Sequence, residues 1–238
     1  MHQLHTSPSV DAIYNQLIRN RTCLLAIASP SPQSGNSLLS LALAQRMAQA
    51  EKRVLLIEFN NESPSLHQRT GTRQSNWLPC DDSWQDALQK TGCPGLMVLT
   101  APLHDQTHPD NIEFRNTEVL CSFFGQALDS FDIIICDTPP LLHSSDGAIC
   151  GVTIASVCET CMLNVVTHVT TESQIDEARQ VLKQANIPLC GAVMNDRYSP
   201  GLREEMLREI KRLDRWLPRL AGYLRKKVEA SDLINQPL

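Results

Sequence analysis

The sequence predicts an α/β fold of three layers, a mostly parallel Rossmann-like sheet between helices, followed by a C-terminal helical extension. Three features carry this expectation. Short, mostly apolar runs alternate with amphipathic stretches along the chain. Those runs lack the in–out alternation of a half-exposed strand, which suits strands covered on both faces. A content of 42% hydrophobic residues in 238 supplies one good-sized core.

The apolar runs 24–29, 54–59, 96–101, 133–137, 162–167 and 189–195 read as buried strands, with Pro, Gly, Asp or Asn near many of their ends. Helices fit the intervening stretches 37–50, 83–90, 117–128 and 172–185. Asp81-Asp82 ahead of Ser83 suits a helix N-terminus, where carboxylates meet the positive end of the macrodipole. The polar stretch 102–115 contains a second proline and reads as a surface loop. Residues 1–199 form the α/β domain in this reading, and 200–238 the extension. In that extension Leu202, Met206, Ile210, Leu213, Leu217, Leu220 and Leu224 recur at helical spacing within a segment of local charge +3, interrupted by Pro218. Three roles stand open for it: packing on the domain, a partner-protein surface, or the membrane surface.

Composition excludes several classes. A net charge of −5 provides no basic field for nucleic acid. No run of 18 uninterrupted apolar residues exists, and the first twenty residues are largely polar, so neither a membrane span nor a secretory signal is expected. Nine cysteines, several inside apolar runs, fit reduced buried thiols in the cytoplasm better than a disulfide framework. Cys158-x-x-Cys161 is read as core packing, since Cys161 opens an apolar strand. His104 and His108 are read as loop histidines, and His143 stands just beyond a strand's carboxyl end.

Ligands in such sheets bind beyond the carboxyl ends of the strands. After the first run comes Ser29-Pro-Ser-Pro-Gln-Ser-Gly-Asn-Ser37 and then a Leu/Ala-rich helix, the layout of a phosphate loop. The loop and helix start, Pro32, Ser34, Gly35, Asn36, Ser37 and Leu38, would cradle phosphate oxygens with backbone N–H groups, and the Ser37 hydroxyl would hold Mg²⁺. The customary lysine is replaced by Asn36. The same residues also suit an ordinary loop before a Ser-capped helix.

Further on stand Lys52-Arg-Val-Leu-Leu-Ile-Glu-Phe-Asn-Asn-Glu-Ser-Pro-Ser-Leu-His67 and Phe131-Asp-Ile-Ile-Ile-Cys-Asp-Thr-Pro-Pro140. With these three motifs in order, PSLH and DTPP intact, the chain resembles the bacterial tyrosine kinase (BY-kinase) family within the MinD/ParA class of P-loop ATPases. Asp146 and Gly191-Ala-Val-Met-Asn195 fit the family's later landmarks. The resemblance implies ATP or ADP with Mg²⁺ as ligand. It matches Asp137 to the Walker B aspartate, which holds the metal through water, Ser37 to the metal-ligating hydroxyl, Gly35 to the loop glycine and Asn195 to the residue reading the adenine edge.

The chain departs from the family at Asn36, at Glu58 in place of the first aspartate of the second motif, at Asn60 in place of the next acidic residue, and at Asn61-Glu62 in its arginine-bearing end. The C-terminal tyrosine cluster is missing: Tyr14, Tyr198 and Tyr223 are the only tyrosines and stand well apart. Phosphoryl transfer depends on positioning and on charge at the phosphates, so a pseudokinase or pseudo-ATPase is expected. Through the resemblance it would serve exopolysaccharide or capsule biosynthesis. Its partner would be a membrane-embedded chain-length or export protein, or an active paralogue, met in the cytoplasm at the inner face of the membrane. Residues 11–21 occupy the place of a helix used by the family to form homo-oligomers, without its clean glutamate–arginine pattern. Arg19 and Arg21 there read as surface charges. Two alternatives stand beside the degenerate enzyme. One is an active MinD/ParA-like ATPase that changes dimer state or membrane association with ATP. The other is a nucleotide-free scaffold that keeps only the fold.

Overall fold

Every residue of β1 (Leu24–Ala28), β2 (Val54–Glu58) and β5 (Ile133–Asp137) is buried. Strands apolar on both faces need a helical layer on each side, and the computed structural model provides both. It describes residues 4–102, 109–143, 145, 148–196, 210, 222 and 228. The chain divides into two compact units, Met1–Asn195 and Asp196–Leu238. In the second unit the described residues Ile210, Gly222 and Val228 are helical. The remainder of the 200–238 extension, with Tyr198, lies outside the described residues, as do Asp146, His104 and His108.

The first unit carries one seven-stranded sheet in the order β3-β4-β2-β5-β1-β6-β7. The other strands are β3 (Gln89–Lys90), β4 (Leu96–Leu99), β6 (Thr160–Val166) and β7 (Leu189–Asn195). All neighbours pair in parallel except β3, which runs antiparallel to β4. On one face α1 (Pro8–Asn20) and α2 (Asn36–Gln49) bury Val10, Leu17, Leu43 and Met47 against Leu25, Ile27, Leu56 and Ile135. Asp11 pairs with Arg46, whose guanidinium lies 4.2 Å from the Tyr14 ring centroid, which ties α1 to α2. Arg19 and Arg21 are exposed.

The opposite face is covered by α5 (Thr117–Ser130), α6 (Gly151–Ser156) and α7 (Glu172–Gln184). Phe59, Trp77, Phe114, Phe123 and Phe124 form an aromatic cluster there, with ring centroids 5.0 to 6.3 Å apart. That cluster corrects the expectation of a loop over 102–115. Pro109–Arg115 is a 3₁₀ helix, because Phe114 is drawn into the core against Phe59 and Trp77.

The expected helix over 83–90 is also shorter. It ends at Ala87 (α4, Ser83–Ala87), and Gln89 and Lys90 leave it to hydrogen-bond with the edge of β4. The Gln89 side chain is drawn the same way, bonding the backbone of Arg73. Two short helices carry no periodic signal in the sequence: α3 (Leu66–Thr70) and α6.

The strand order reverses between β1 and β5. The chain leaves β1 toward β2 on one side, and leaves β5 toward β6 on the other. A crevice opens at the carboxyl ends of strands at such a switch point, and the segments after β1, β2 and β5 meet there.

Candidate functional site

From β1 the chain passes through Ser29–Gly35 into α2. The DTPP segment runs beside this loop: the Leu141 and Leu142 amides donate to the carbonyls of Ser29 (2.8 Å) and Pro30 (3.3 Å). Thr138 is a strut, its N–H and its hydroxyl both donating to the Ile27 carbonyl at 3.1 Å. Gly151 at the start of α6 packs so closely that a Cβ there would stand 2.3 Å from the Pro139 carbonyl oxygen.

The loop turns at Gly35, φ +83°, a left-handed conformation open to glycine at little cost. Gln33 adopts φ +59° without that freedom. Gly35 caps α2, its carbonyl accepting from the Leu38 and Leu39 N–H groups at 3.1 Å, so the Leu38 amide is engaged within the helix start, which carries the positive end of the helix dipole. Pro32 is exposed, Ser34 and Asn36 are buried, and Gly35, Ser37 and Leu38 are half-buried.

Asn36, in the lysine position, is engaged within the protein. Its Oδ1 accepts from Asn164 Nδ2 (2.9 Å) and from the Ser34 hydroxyl (3.2 Å). Asn164 Nδ2 also reaches the Ser34 carbonyl at 3.0 Å, and Asn195 Nδ2 donates to that same carbonyl at 3.0 Å. Three asparagines thus clasp the loop to β6 and β7. Asn195, half-buried at the end of β7, holds the loop by this bond. Asn164 belongs to no motif and was not among the expected site residues. Its one signal in the sequence is a lone amide inside the apolar run of β6, where it is fully buried.

Glu58 and Asp137 are register partners on β2 and β5, both buried and both on the α2 face. Their surroundings part them. Glu58 Oε1 accepts from the Ser65 N–H (2.6 Å) and Leu66 N–H (3.0 Å), and Oε2 accepts from the Ala101 N–H (3.4 Å). Its side chain therefore caps α3 and takes up the PSLH amides. Burial raises its pKa, opposed in part by those three amides and by His67. Asn60 likewise serves its own turn, accepting from the Ser63 N–H at 3.3 Å.

Asp137 keeps an uncommitted oxygen. Burial, with Glu58 adding repulsion, pushes its pKa up to about 8, while Ser37, Ser40 and Arg69 pull it down. Even so, among the described residues Oδ2 finds no hydrogen bond of ordinary geometry, and neither does the buried Ser40 hydroxyl. A buried carboxylate oxygen without a partner, beside two hydroxyls at a helix start, fits a hard divalent cation such as Mg²⁺. Ser37 and Asp137 are the residues that would hold it. The loop amides fit phosphate, without a lysine's charge to accompany them.

Of the remaining candidates, His143 is exposed and directly follows Leu142, whose amide bonds the Pro30 carbonyl of the loop. Cys158 and Cys161 are buried core thiols, and Cys158 donates to the Ile154 carbonyl at 3.3 Å.

No known family profile matches the chain. It is 27% identical over 175 residues to CapB of Staphylococcus aureus, which covers 72% of this chain and 74% of CapB. It is 28% identical over 195 residues to the tyrosine-protein kinase Ptk of Acinetobacter johnsonii, covering 78% of this chain. With the tyrosine-protein kinase Etk of Escherichia coli K12 it shares 26% identity over 188 residues, 77% of this chain. The match spans only 25% of the length of Ptk and of Etk. Among solved structures, the kinase domain of Etk superposes with TM-score 0.64 at 22% identity, over 80% of this chain and 74% of that one. The cell-division ATPase MinD of Pyrococcus furiosus superposes with TM-score 0.59 at 18% identity, over 88% of this chain and 81% of that one. These superpositions establish the fold.

Proposed function

We propose that this chain, similar in sequence to the tyrosine-protein kinases CapB and Etk and alike in fold to the Etk kinase domain and to MinD, is a catalytically degenerate member of the BY-kinase and MinD/ParA family of P-loop proteins, a pseudokinase or pseudo-ATPase. It acts as a regulatory or scaffolding component of exopolysaccharide or capsule biosynthesis and export. The observation that carries this reading is the engagement of Asn36: the lysine position is a neutral amide whose oxygen is bonded to Asn164 and Ser34. Neutral hydrogen bonds are roughly half as strong as charge-assisted ones, and losing one preorganised donor costs on the order of a hundredfold to a thousandfold in rate. Glu58 supports the same reading, since its two oxygens serve backbone amides.

The retained elements give the protein something to sense. Gly35, the α2 N-terminus and Ser37 would bind the phosphates of ATP or ADP, and Ser37 with Asp137 would hold Mg²⁺, which supplies positive charge to the phosphate oxygens when bound. Asn195, which would read the adenine edge, donates through Nδ2 to the Ser34 carbonyl. The partner is a membrane-embedded polysaccharide chain-length or export protein or an active paralogue, met in the cytoplasm at the membrane surface. Among the described residues no helix is long and apolar enough to cross a membrane.

Isothermal titration of the full chain with ATP and ADP, with and without Mg²⁺, tests this reading beside a phosphate-release assay. Binding without turnover is the expected result. Turnover would establish the active MinD/ParA-like ATPase instead, and absence of binding would leave a scaffold that keeps only the fold.

A further inference from the structure

At the end of the sheet opposite the phosphate loop lies a cavity of about 690 Å³, within the roughly 300–1,000 Å³ range of small-ligand sites. Its wall is built where Arg53 enters β2, Lys90 ends β3, Leu96 opens β4 and Phe131 precedes β5. The five residues of β2 separate it from Glu58, about 16 Å at roughly 3.3 Å per residue. It is therefore a different place from the nucleotide crevice, and its chemistry is independent of the proposed function.

The lining has a definite character. Trp84, Leu88, Leu96, Met97 and Phe131 make an apolar wall, and Trp84 is braced edge-on by Phe123 at 5.2 Å. The Trp84 indole N–H is buried without an acceptor among the described residues. Arg53 and Lys90 are the charged lining residues; among the described residues no Asp or Glu lines the cavity, in a chain whose net charge is −5. Arg53 is held in place by Asp132, with Nε at 3.1 Å and Nη2 at 2.7 Å from Oδ1. Asp132 offsets part of that charge. Lys90 is exposed and has no ion pair among the described residues. Apolar walls favour a water-excluded body, while a cationic rim favours one negative group on it.

We propose that this cavity binds a small amphipathic anion, an aromatic or aliphatic body bearing one acidic group, at the edge of the sheet formed by β3 and β4. The body packs on Trp84, Met97 and Phe131, and the acidic group faces Lys90 and Arg53. Cys93, half-buried in the same lining, reports on occupancy.

The test uses the full chain and anilinonaphthalenesulfonate as probe, with neutral phenylnaphthylamine as its uncharged counterpart. Saturable binding of the sulfonate at one site is expected, weaker binding of the neutral compound, and slowed alkylation of Cys93 as the site fills. The exposed Cys80 and Cys121 should react at unchanged rates. Reversing the charge with Lys90→Glu should weaken the sulfonate by about tenfold, the effect of roughly 1.4 kcal/mol. Gln126→Tyr, a substitution at an exposed α5 position in the lining, should weaken both compounds by filling space. Equal affinity for the two compounds would overturn the anionic part of the proposal. Unprotected Cys93, displacement of the probe by ATP without Cys93 protection, or binding indifferent to both variants would overturn the site itself.

Discussion

Asp137→Asn isolates the one buried carboxyl to which the described residues give no complete set of partners. In the folded protein its pKa is pushed up to about 8 by burial and by Glu58, against an ordinary value of 3.8. Between those values the native state holds a proton that the unfolded chain has released, so stability falls as pH rises. The sign is opposite to that of a salt-bridged carboxylate. With a native pKa near 8, the loss between pH 6 and pH 8 is about 2 kcal/mol. The asparagine has no proton to lose and a similar shape. Its advantage over the wild type should therefore grow by about 2 kcal/mol over that interval. Glu58 stays in both proteins and adds a slope of the same sign, because its pKa is also raised. Urea denaturation followed by circular dichroism at pH 6, 7 and 8 measures the difference. Mg²⁺ at pH 8 should stabilise the wild type and leave the variant unchanged, since an ion that binds only the native carboxylate shifts the equilibrium by mass action. Parallel stability–pH curves for the two proteins would refute the reasoning, because Asp137 would then have the same proton affinity folded and unfolded.

Three further outcomes are expected. Asn36→Lys should bind ATP more tightly, through charge-assisted hydrogen bonds worth roughly 1.5–3 kcal/mol each, yet stay far below the roughly 1–100 s⁻¹ of kinases; affinity and steady-state phosphate release read both, and vigorous turnover would mean that the lysine was the only loss. Glu58→Ala should lower stability by about 2–4 kcal/mol, because the buried amides of Leu66 and Ala101 and the half-buried amide of Ser65 lose their acceptor; a denaturation curve coincident with the wild type would contradict the capping role. Gly151→Ala should cost about 1–3 kcal/mol through overlap with the Pro139 carbonyl, visible as a lowered Tm, and an unchanged Tm would show that the DTPP turn yields to a methyl group.

The β-α-β order and the three motifs that stand beyond the carboxyl ends of β1, β2 and β5 are legible in the amino-acid sequence because each is local. An apolar run covered on both faces carries its own signature, and a phosphate loop is contiguous. Asn36 and Glu58 are likewise recognisable from sequence as departures from a motif. What those two residues do is not. Whether Asn36 faces solvent or turns inward depends on Asn164, 128 positions away on β6, and the work of Glu58 depends on amides of α3 and of the segment after β4. Both partnerships exist only once the parallel strands are in register. The same holds for Phe114, which reads as part of a polar loop until Phe59 and Trp77 are placed beside it. Asp137 shows the division most plainly. A strand ending in Asp is visible in the sequence, but its raised pKa comes from burial under α2 and from Glu58 on the neighbouring strand. Desolvation is a property of everything packed around a group, so it comes into being with the assembled layers and has no counterpart in the linear chain.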